Sequence, residues 1–246
     1  IVYKRQVHEQ NRIPGMTNRV LARFARKVLQ AFPGTWDQKL NPVSCGNPVR
    51  KSVVDLASPA ARMAEREGAV RVLVTGGSQG ARALNMMVPE ALARLPEELG
   101  FEVKHQAGKG RKDETEQAYG DARNDVEVTE FIVDMAAAFD WADLVICRSG
   151  ALTVSELAAA GLASILVPFP YAVDDHQTRN AEFLVEAGAA VLMPESGADA
   201  DSMSTLLVDL MGQRQKLLVM AENARAVSVP DAAERVANMC MEYQAA

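Results

Sequence analysis

From residue 70 onward, short strand-like runs rich in apolar residues alternate with stretches in which apolar positions recur at helical spacing. The runs fall at residues 70–74, 101–105, 126–128, 144–146, 164–167 and 189–193. Helical patterns follow each of them, reaching Leu95 after the first and covering 112–122, 134–139, 153–160 and 176–187 after the next four. Three further helices are predicted over 200–211, 213–224 and 231–243. Strands that are apolar at every position are buried on both faces, which is the signature of a parallel sheet covered by helices. Six strands separated by helices predict an α/β fold with a doubly wound parallel six-stranded sheet and right-handed crossovers.

The first 50 residues read differently. Residues 1–7 predict a short strand, followed by His8, Glu9, Gln10 and Asn11. A helix is predicted over 19–28, with Val20, Leu21, Phe24, Ala25 and Val28 at helical spacing. It also carries Arg19, Arg23, Arg26 and Lys27, a basic face suited either to solvent or to a membrane surface. A second strand over 28–32 closes at Pro33-Gly34, and 35–44 has no periodicity. The turn-rich segment CGNPVR, Cys45 to Arg50, marks a boundary. The expected organisation is an amino-terminal unit over 1–46, a hinge at 47–50, a main unit over 51–228, and a last helix over 229–246 that returns toward the first unit. The chain opens at Ile1, inside a predicted strand, which suggests a piece of a longer protein.

Composition narrows the possible functions. Hydrophobic residues make up 48% and charged residues 24% of 246 residues, ordinary for a globular protein with a sizeable core. The net charge of −6 argues against a broad nucleic-acid footprint. Cys45, Cys147 and Cys240 show no CxxC pairing, and His8, His105 and His176 stand in separate segments without metal-ligand spacing. No apolar run is long enough to span a bilayer. The lysine of a Walker A loop and the GxGxxG spacing of a dinucleotide fingerprint are absent.

In a sheet of this kind ligands gather at the carboxyl ends of the strands. The first strand leads into Gly76-Gly77-Ser78-Gln79-Gly80, a glycine-rich turn that either cradles a phosphate through N–H groups and the Ser78 hydroxyl or simply packs helix on strand. After the third strand come Phe131 and Ile132, either core or a platform for a flat base. The fourth leads into CRSGALTVSELAAAG, 147–161. There a Ser149-Gly150 turn opens a helix whose first N–H groups and dipole suit an anion. Glu156, one turn in, either complements that dipole or holds a sugar diol through two hydroxyl-to-carboxylate bonds. The fifth strand is followed by a polar loop with Asp174, Asp175, His176, Gln177 and Asn180.

Taken together, GGSQGARALN, TEFIVDMAAAF, CRSGALTVSELAAAG, the VPFP…DHQTRNA loop and HEQN…GMTNR…NPVR resemble the MurG family of glycosyltransferases over nearly the whole chain. The resemblance implies a two-domain GT-B fold with a Rossmann-like carboxyl-terminal donor half and the tail of a second Rossmann-like domain before it. It implies inverting transfer of N-acetylglucosamine from UDP-N-acetylglucosamine to lipid I, giving lipid II, at the cytoplasmic face of the bacterial inner membrane. The protein would be peripheral, held to that membrane through its amino-terminal domain, and would use no cofactor and no metal. By motif, Glu156 would hold the ribose hydroxyls, Ile132 the uracil and Ser78 a phosphate. Ala151, Leu152, Thr153, Val154 and Ser155 would line the diphosphate and sugar. Gln177 would reach sugar hydroxyls beside His176, and Arg50 and Asn11 would close the site. The GGTGGH-type loop and base histidine of the family are not seen before Ile1, which leaves Glu9 as a weak substitute for the base. The alternatives are a UDP-sugar binding module that turns nothing over until an acceptor domain docks, and another GT-B enzyme such as a UDP-N-acetylglucosamine 2-epimerase.

Overall fold

The computed structural model describes residues 5–77, 79–120 and 126–241. Among the described residues nine strands form two parallel sheets. The first contains β1 (Gln6–Glu9), β2 (Lys27–Gln30) and β3 (Val43–Ser44), in the order β1-β2-β3. The second contains β4 (Val70–Thr75), β5 (Phe101–Gln106), β6 (Val126–Thr129), β7 (Leu144–Cys147), β8 (Ala163–Leu166) and β9 (Ala190–Leu192), in the order β6-β5-β4-β7-β8-β9. All six predicted strands of the main unit are present and parallel, with the helices in the intervals between them.

The strands carry apolar residues on both faces because this sheet is covered on both sides. Val72, Val74, Leu144 and Ile146 pack toward the helices Arg82–Leu92 and Ala200–Met211, with Leu84, Val88, Leu207 and Leu210. Leu73, Val145, Cys147 and Leu166 face the opposite layer, with Phe139, Leu157 and Leu184. Alternation along each strand thus sends neighbouring residues into different cores. Burying a leucine or isoleucine fully stabilises by roughly 1.5–3 kcal/mol, so the residues in these two layers dominate the favourable side of folding.

Buried polar groups fix the lower edge of the sheet. Asp143, 1% exposed, receives Arg66 Nη1 at 2.6 Å and Arg214 Nη1 at 3.3 Å, and its Oδ2 accepts from Arg71 N at 3.0 Å. Two guanidinium groups and a backbone N–H are what a carboxylate at that depth requires.

The amino-terminal unit departs from the sequence expectation. The helix covers Met16–Ala22, not 19–28, and Val28 lies in β2, whose register pairs Gln6 with Lys27 and Val7 with Val28. The strand won because pairing with β1 buries Val28 and Leu29, whereas the helical apolar positions have no cover: Val20 is 50%, Leu21 49% and Phe24 61% exposed, and Ala22 alone is buried within the helix. Residues 35–44 contain a single 3₁₀ turn, Gln38–Leu40, and the two-residue strand β3, too short to leave a periodic signal. The short helices Lys51–Val54 and Pro59–Met63 were not foreseen. Parts of three expected elements, residues 1–4, 121–122 and 242–243, lie outside the described residues.

Several contacts join the two sheets' layers. Phe32, buried, meets the ring of Phe183 with centroids 4.9 Å apart. Gly46, at φ 76°, sits against Val229 and Ala232, where a Cβ would lie 2.7 Å from that of Val229. Gln6 Nε2 donates to Met239 O at 2.7 Å, so the helix Ala232–Met241 touches β1.

Candidate nucleotide-sugar site

The strand order reverses between β4 and β7: the chain runs outward through β5 and β6, then returns to lay β7 on the other side of β4. Loops leaving the carboxyl ends of these two strands diverge, which opens a crevice. A cavity of about 660 Å³ occupies it, a volume suited to a small organic ligand. Each main-sheet strand end supplies wall: Gly76, Gly77 and Gly80 after β4, Gln106 at the end of β5, Phe131 and Ile132 after β6, Gly150, Thr153 and Glu156 after β7, Phe169 and Gln177 after β8, and Glu195 after β9. Arg50 closes it from the hinge segment.

Two glycine loops are locked together on one side. Gly80 has φ +69° and a Cβ there would strike the Ala107 carbonyl; Gly108, at φ +90°, would place one 2.5 Å from Gly80 Cα. Behind them Asn85 Nδ2 donates to Ala107 O at 2.9 Å, and its Oδ1 meets His105 Nε2 at 3.1 Å. His105 Nδ1 lies 2.8 Å from the Tyr119 hydroxyl. Burial holds His105 down to about 3 and pushes the Tyr119 hydroxyl well above its usual range, so both rings are neutral and the network is fully paired.

Opposite, the helix Ala151–Ala160 starts at Gly150, whose extended backbone (φ −62°, ψ 148°) makes no side-chain cap. Its first-turn N–H groups therefore keep their hydrogen-bonding capacity for something outside the helix. One turn in, Glu156 is 17% exposed and Arg50 Nε lies 3.7 Å from its Oε1. Burial raises the Glu156 carboxyl above its ordinary value, an effect the Arg50 charge opposes. A half-buried carboxylate reached, among the described residues, by one long ion pair has acceptor capacity to spare.

The structure brings together Arg50, Ile132, Thr153, Glu156 and Gln177 on the cavity wall. Gln177 is also tied to its own loop, accepting from Phe169 N at 2.9 Å. The remaining expected residues take other places. Ala151 and Leu152 stand in the first turn beside the cavity, Leu152 47% exposed; Val154 is fully buried in the core. Ser155 Oγ donates to Ala151 O at 2.9 Å and accepts from Asn47 Nδ2 at 3.0 Å. His176 is half-buried at the start of the helix His176–Glu186. Ser78 lies outside the described residues, between Gly77 and Gln79. Glu9, 2% exposed, is not on the wall: its Oε1 accepts from Asn11 N (2.9 Å) and Asn11 Nδ2 (3.3 Å), and its Oε2 from Gly15 N (3.1 Å) and Asn18 Nδ2 (2.8 Å). Four donors commit both oxygens to shaping the loop that follows β1. Asn11, half-buried, is also off the wall, its Oδ1 accepting from Asn180 Nδ2 at 3.1 Å.

Sequence reasoning missed three cations near the cavity. Arg82 opens the helix Arg82–Leu92 and pairs with Glu114 at 3.0 Å, and Arg111 precedes the helix Lys112–Tyr119. Arg148 donates to Val167 O (3.1 Å) and Pro168 O (2.9 Å), pairs with Glu195 at 2.5 Å, and lies 5.5 Å from the centroid of Phe169. One side chain thereby joins the exits of β7, β8 and β9. For Arg148 the signal was its place directly after a buried strand; for Arg82 and Arg111 there was none beyond proximity to glycine turns. Among the described residues no cluster of His, Cys, Asp and Glu could hold a metal ion.

Comparison with known proteins places this geometry. Residues 71–236 match the glycosyltransferase family 28 C-terminal domain. A Marinobacter nauticus protein named UDP-N-acetylglucosamine--N-acetylmuramyl-(pentapeptide) pyrophosphoryl-undecaprenol N-acetylglucosamine transferase is 50% identical over 236 residues, 96% of this chain and 65% of the relative. A Xanthomonas campestris protein of the same name is 52% identical over 96% of this chain and 54% of its own length. The chain thus spans about half to two thirds of these relatives. The crystal structure of Acinetobacter baumannii MurG superposes with TM-score 0.89 at 38% identity, over 96% of this chain and 66% of that one. A Neisseria meningitidis UDP-GlcNAc 2-epimerase, solved bound to UDP-GlcNAc, shares the fold alone, with TM-score 0.61 at 10% identity over 92% of this chain and 63% of that one.

Proposed function

Because the chain belongs to glycosyltransferase family 28, whose carboxyl-terminal domain it carries over residues 71–236, we propose that it forms the donor side of an enzyme that moves N-acetylglucosamine from UDP-N-acetylglucosamine onto the lipid-linked N-acetylmuramoyl-pentapeptide acceptor. The observation that carries the reading is Glu156: a half-buried carboxylate beside an uncapped helix terminus, on the wall of a cavity at the switch point of the sheet. A diphosphate at that terminus leaves a ribose within reach of the next turn. Glu156 holds its two hydroxyls, Ile132 and Phe131 flank the base, and the glycine turn containing Ser78 meets a phosphate. Thr153 and the N–H groups of Ala151 and Leu152 face the diphosphate and sugar, with Gln177 on the sugar side and Arg50 closing over the nucleotide.

The chemistry required of this half is departure of UDP. As the acceptor hydroxyl forms its bond to the anomeric carbon, the bond to the diphosphate oxygen breaks and negative charge grows on the diphosphate. N–H groups and the dipole at the helix terminus oppose that charge without reorganising, each charge-assisted contact contributing roughly 1.5–3 kcal/mol. The proton lost by the acceptor goes to a base outside the residues assigned here.

The domain division at 46–50, with the last helix folded back on the first unit, belongs to the same reading. So does peripheral attachment at the cytoplasmic face of the inner membrane. Met16, Val20, Leu21 and Phe24 are exposed beside Arg19 and Arg23, which suits an anionic lipid surface. No helix of the described residues is long and apolar enough to cross a membrane.

Calorimetric titration of this chain with UDP-N-acetylglucosamine, against a TDP-sugar control, tests the donor assignment. Selective binding of the UDP-sugar is expected. A folded sample that binds neither overturns it.

A further inference from the structure

Asn180 sits in the helix His176–Glu186 and is fully buried, yet its amide serves no group of its own helix that would explain it. Its Oδ1 accepts from Arg12 N at 2.8 Å. Its Nδ2 donates to Asn11 Oδ1 at 3.1 Å and to Ser149 O at 3.2 Å. The orientation of this amide is forced, since a backbone N–H can only donate and a carbonyl can only accept. Asn11 is then oriented as well: its oxygen is taken by Asn180 and its Nδ2 faces Glu9 Oε1 at 3.3 Å. Glu9, Asn11, Asn180 and the Ser149 carbonyl form one hydrogen-bonded line. It runs from the end of β1, across the boundary between the sheets, to the residue before the Gly150 cap of the helix Ala151–Ala160. Beside it Arg12 Nη2 pairs with Glu186 at 2.6 Å, holding the same loop to the same helix.

We propose that Asn180 is a positioning residue for transfer: it sets the loop carrying Asn11 and the turn that starts the helix Ala151–Ala160 in one fixed relation. The carbonyl it holds belongs to the peptide linking Ser149 to Gly150, so its rotation would re-aim the first-turn N–H groups. Asn180 itself, with no exposed surface, does not touch the ligand. Its loss disturbs the sugar and diphosphate end of the cavity, while the base and ribose end, built on Ile132 and Glu156, is left in place. This role rests on the donor-site reading above.

The test is titration of the wild-type chain, Asn180→Ala and Asn180→Asp with uridine and with UDP-N-acetylglucosamine, alongside thermal melts. Asn180→Asp keeps the size and the acceptor for Arg12 N but loses the donor to Asn11 and Ser149. Both variants are expected to bind uridine within about threefold of wild type and to lose about tenfold in affinity for the UDP-sugar, roughly 1.4 kcal/mol. The double variant Asn11→Ala/Asn180→Ala should lose little beyond either single one, because the two side chains act through one bond. Parallel loss of uridine and UDP-sugar affinity, or unchanged affinity for both in a folded variant, overturns the positioning role. Failure of the wild-type chain to bind either ligand instead overturns the donor-site reading itself. If Asn180→Ala does not fold, Asn180→Asp decides by the same criteria.

Discussion

Replacing Glu156 separates ligand binding from stability, because its two contributions have opposite signs. Without ligand, Glu156 is a partly desolvated carboxylate with one ion pair at 3.7 Å to an Arg50 side chain that is 63% exposed. Its raised pKa says that the folded protein favours the protonated form more than the unfolded chain does. The charge therefore weakens the unliganded fold at pH above that raised value, and the penalty fades as pH falls through it. The lost pair with an exposed arginine offsets this by no more than about 1 kcal/mol. With a ribose diol in place, two hydroxyls satisfy the same carboxylate, and each hydrogen bond contributes roughly 0.75–1.5 kcal/mol net of the water contacts it replaces. Glu156→Ala should thus weaken UDP binding by about 1.5–3 kcal/mol, roughly 10- to 150-fold in Kd. Glu156→Gln, which keeps an acceptor without the charge, should fall near the lower figure. Both variants should melt no lower than wild type without ligand, and should gain less from added UDP. Calorimetry at pH 7.5 with matched melting curves measures both quantities. Unchanged UDP affinity in a folded Glu156→Ala protein would refute the diol assignment. A large fall in the unliganded melting temperature would refute the account of the carboxylate as a strained, unsatisfied group.

Two other perturbations test the walls of the site. Gly80→Ala forces a Cβ at φ +69° into the Ala107 carbonyl; it should cost about 1–3 kcal/mol in urea unfolding and weaken UDP binding more than tenfold, whereas wild-type behaviour in both would mean the two glycine loops are not locked. His105, neutral when buried and driven to about 3 from 6.5, should make the protein lose stability as pH falls from about 6.5 toward 3, with a slope approaching 1.4 kcal/mol per pH unit. The sign follows from the unfolded histidine taking a proton that the folded one refuses. His105→Gln should flatten that limb relative to wild type, and an unaltered pH profile would show that another group is responsible.

The way residues were recovered follows the physics of each signal. The six main strands were legible because a doubly covered parallel sheet calls for apolar residues on both faces: Leu144–Cys147 is apolar throughout, and 70–74 is interrupted only by Arg71. Thr153 and Glu156 were assigned to a ligand through motif resemblance, and both stand on the cavity wall. Val154 and Ser155, on the same turn, were grouped with them by motif. Only the packed helix shows that one face points into the core and the other to Asn47.

What tertiary structure alone decided is equally specific. The start of the strand Lys27–Gln30 reads locally as the end of an amphipathic helix, since Lys27 and Val28 were placed there, and the pairing of Val7 with Val28, 21 positions away, settles the competition. Glu9 reads as a free acid, and becomes an anchor for four donors only when the loop to Asn18 closes on it. Arg12 and Glu186, or Asn11 and Asn180, carry no mark of each other in sequence, since hydrogen bonds across 169 residues depend on how two sheets are laid together. The sequence by itself determined the strands of the main sheet and the kind of chemistry its loops could hold, while the strand order, and with it the switch point, came from the structure. The tertiary structure determined which side chains share one cavity, because periodicity encodes which face of an element is buried and says nothing of what is buried against it.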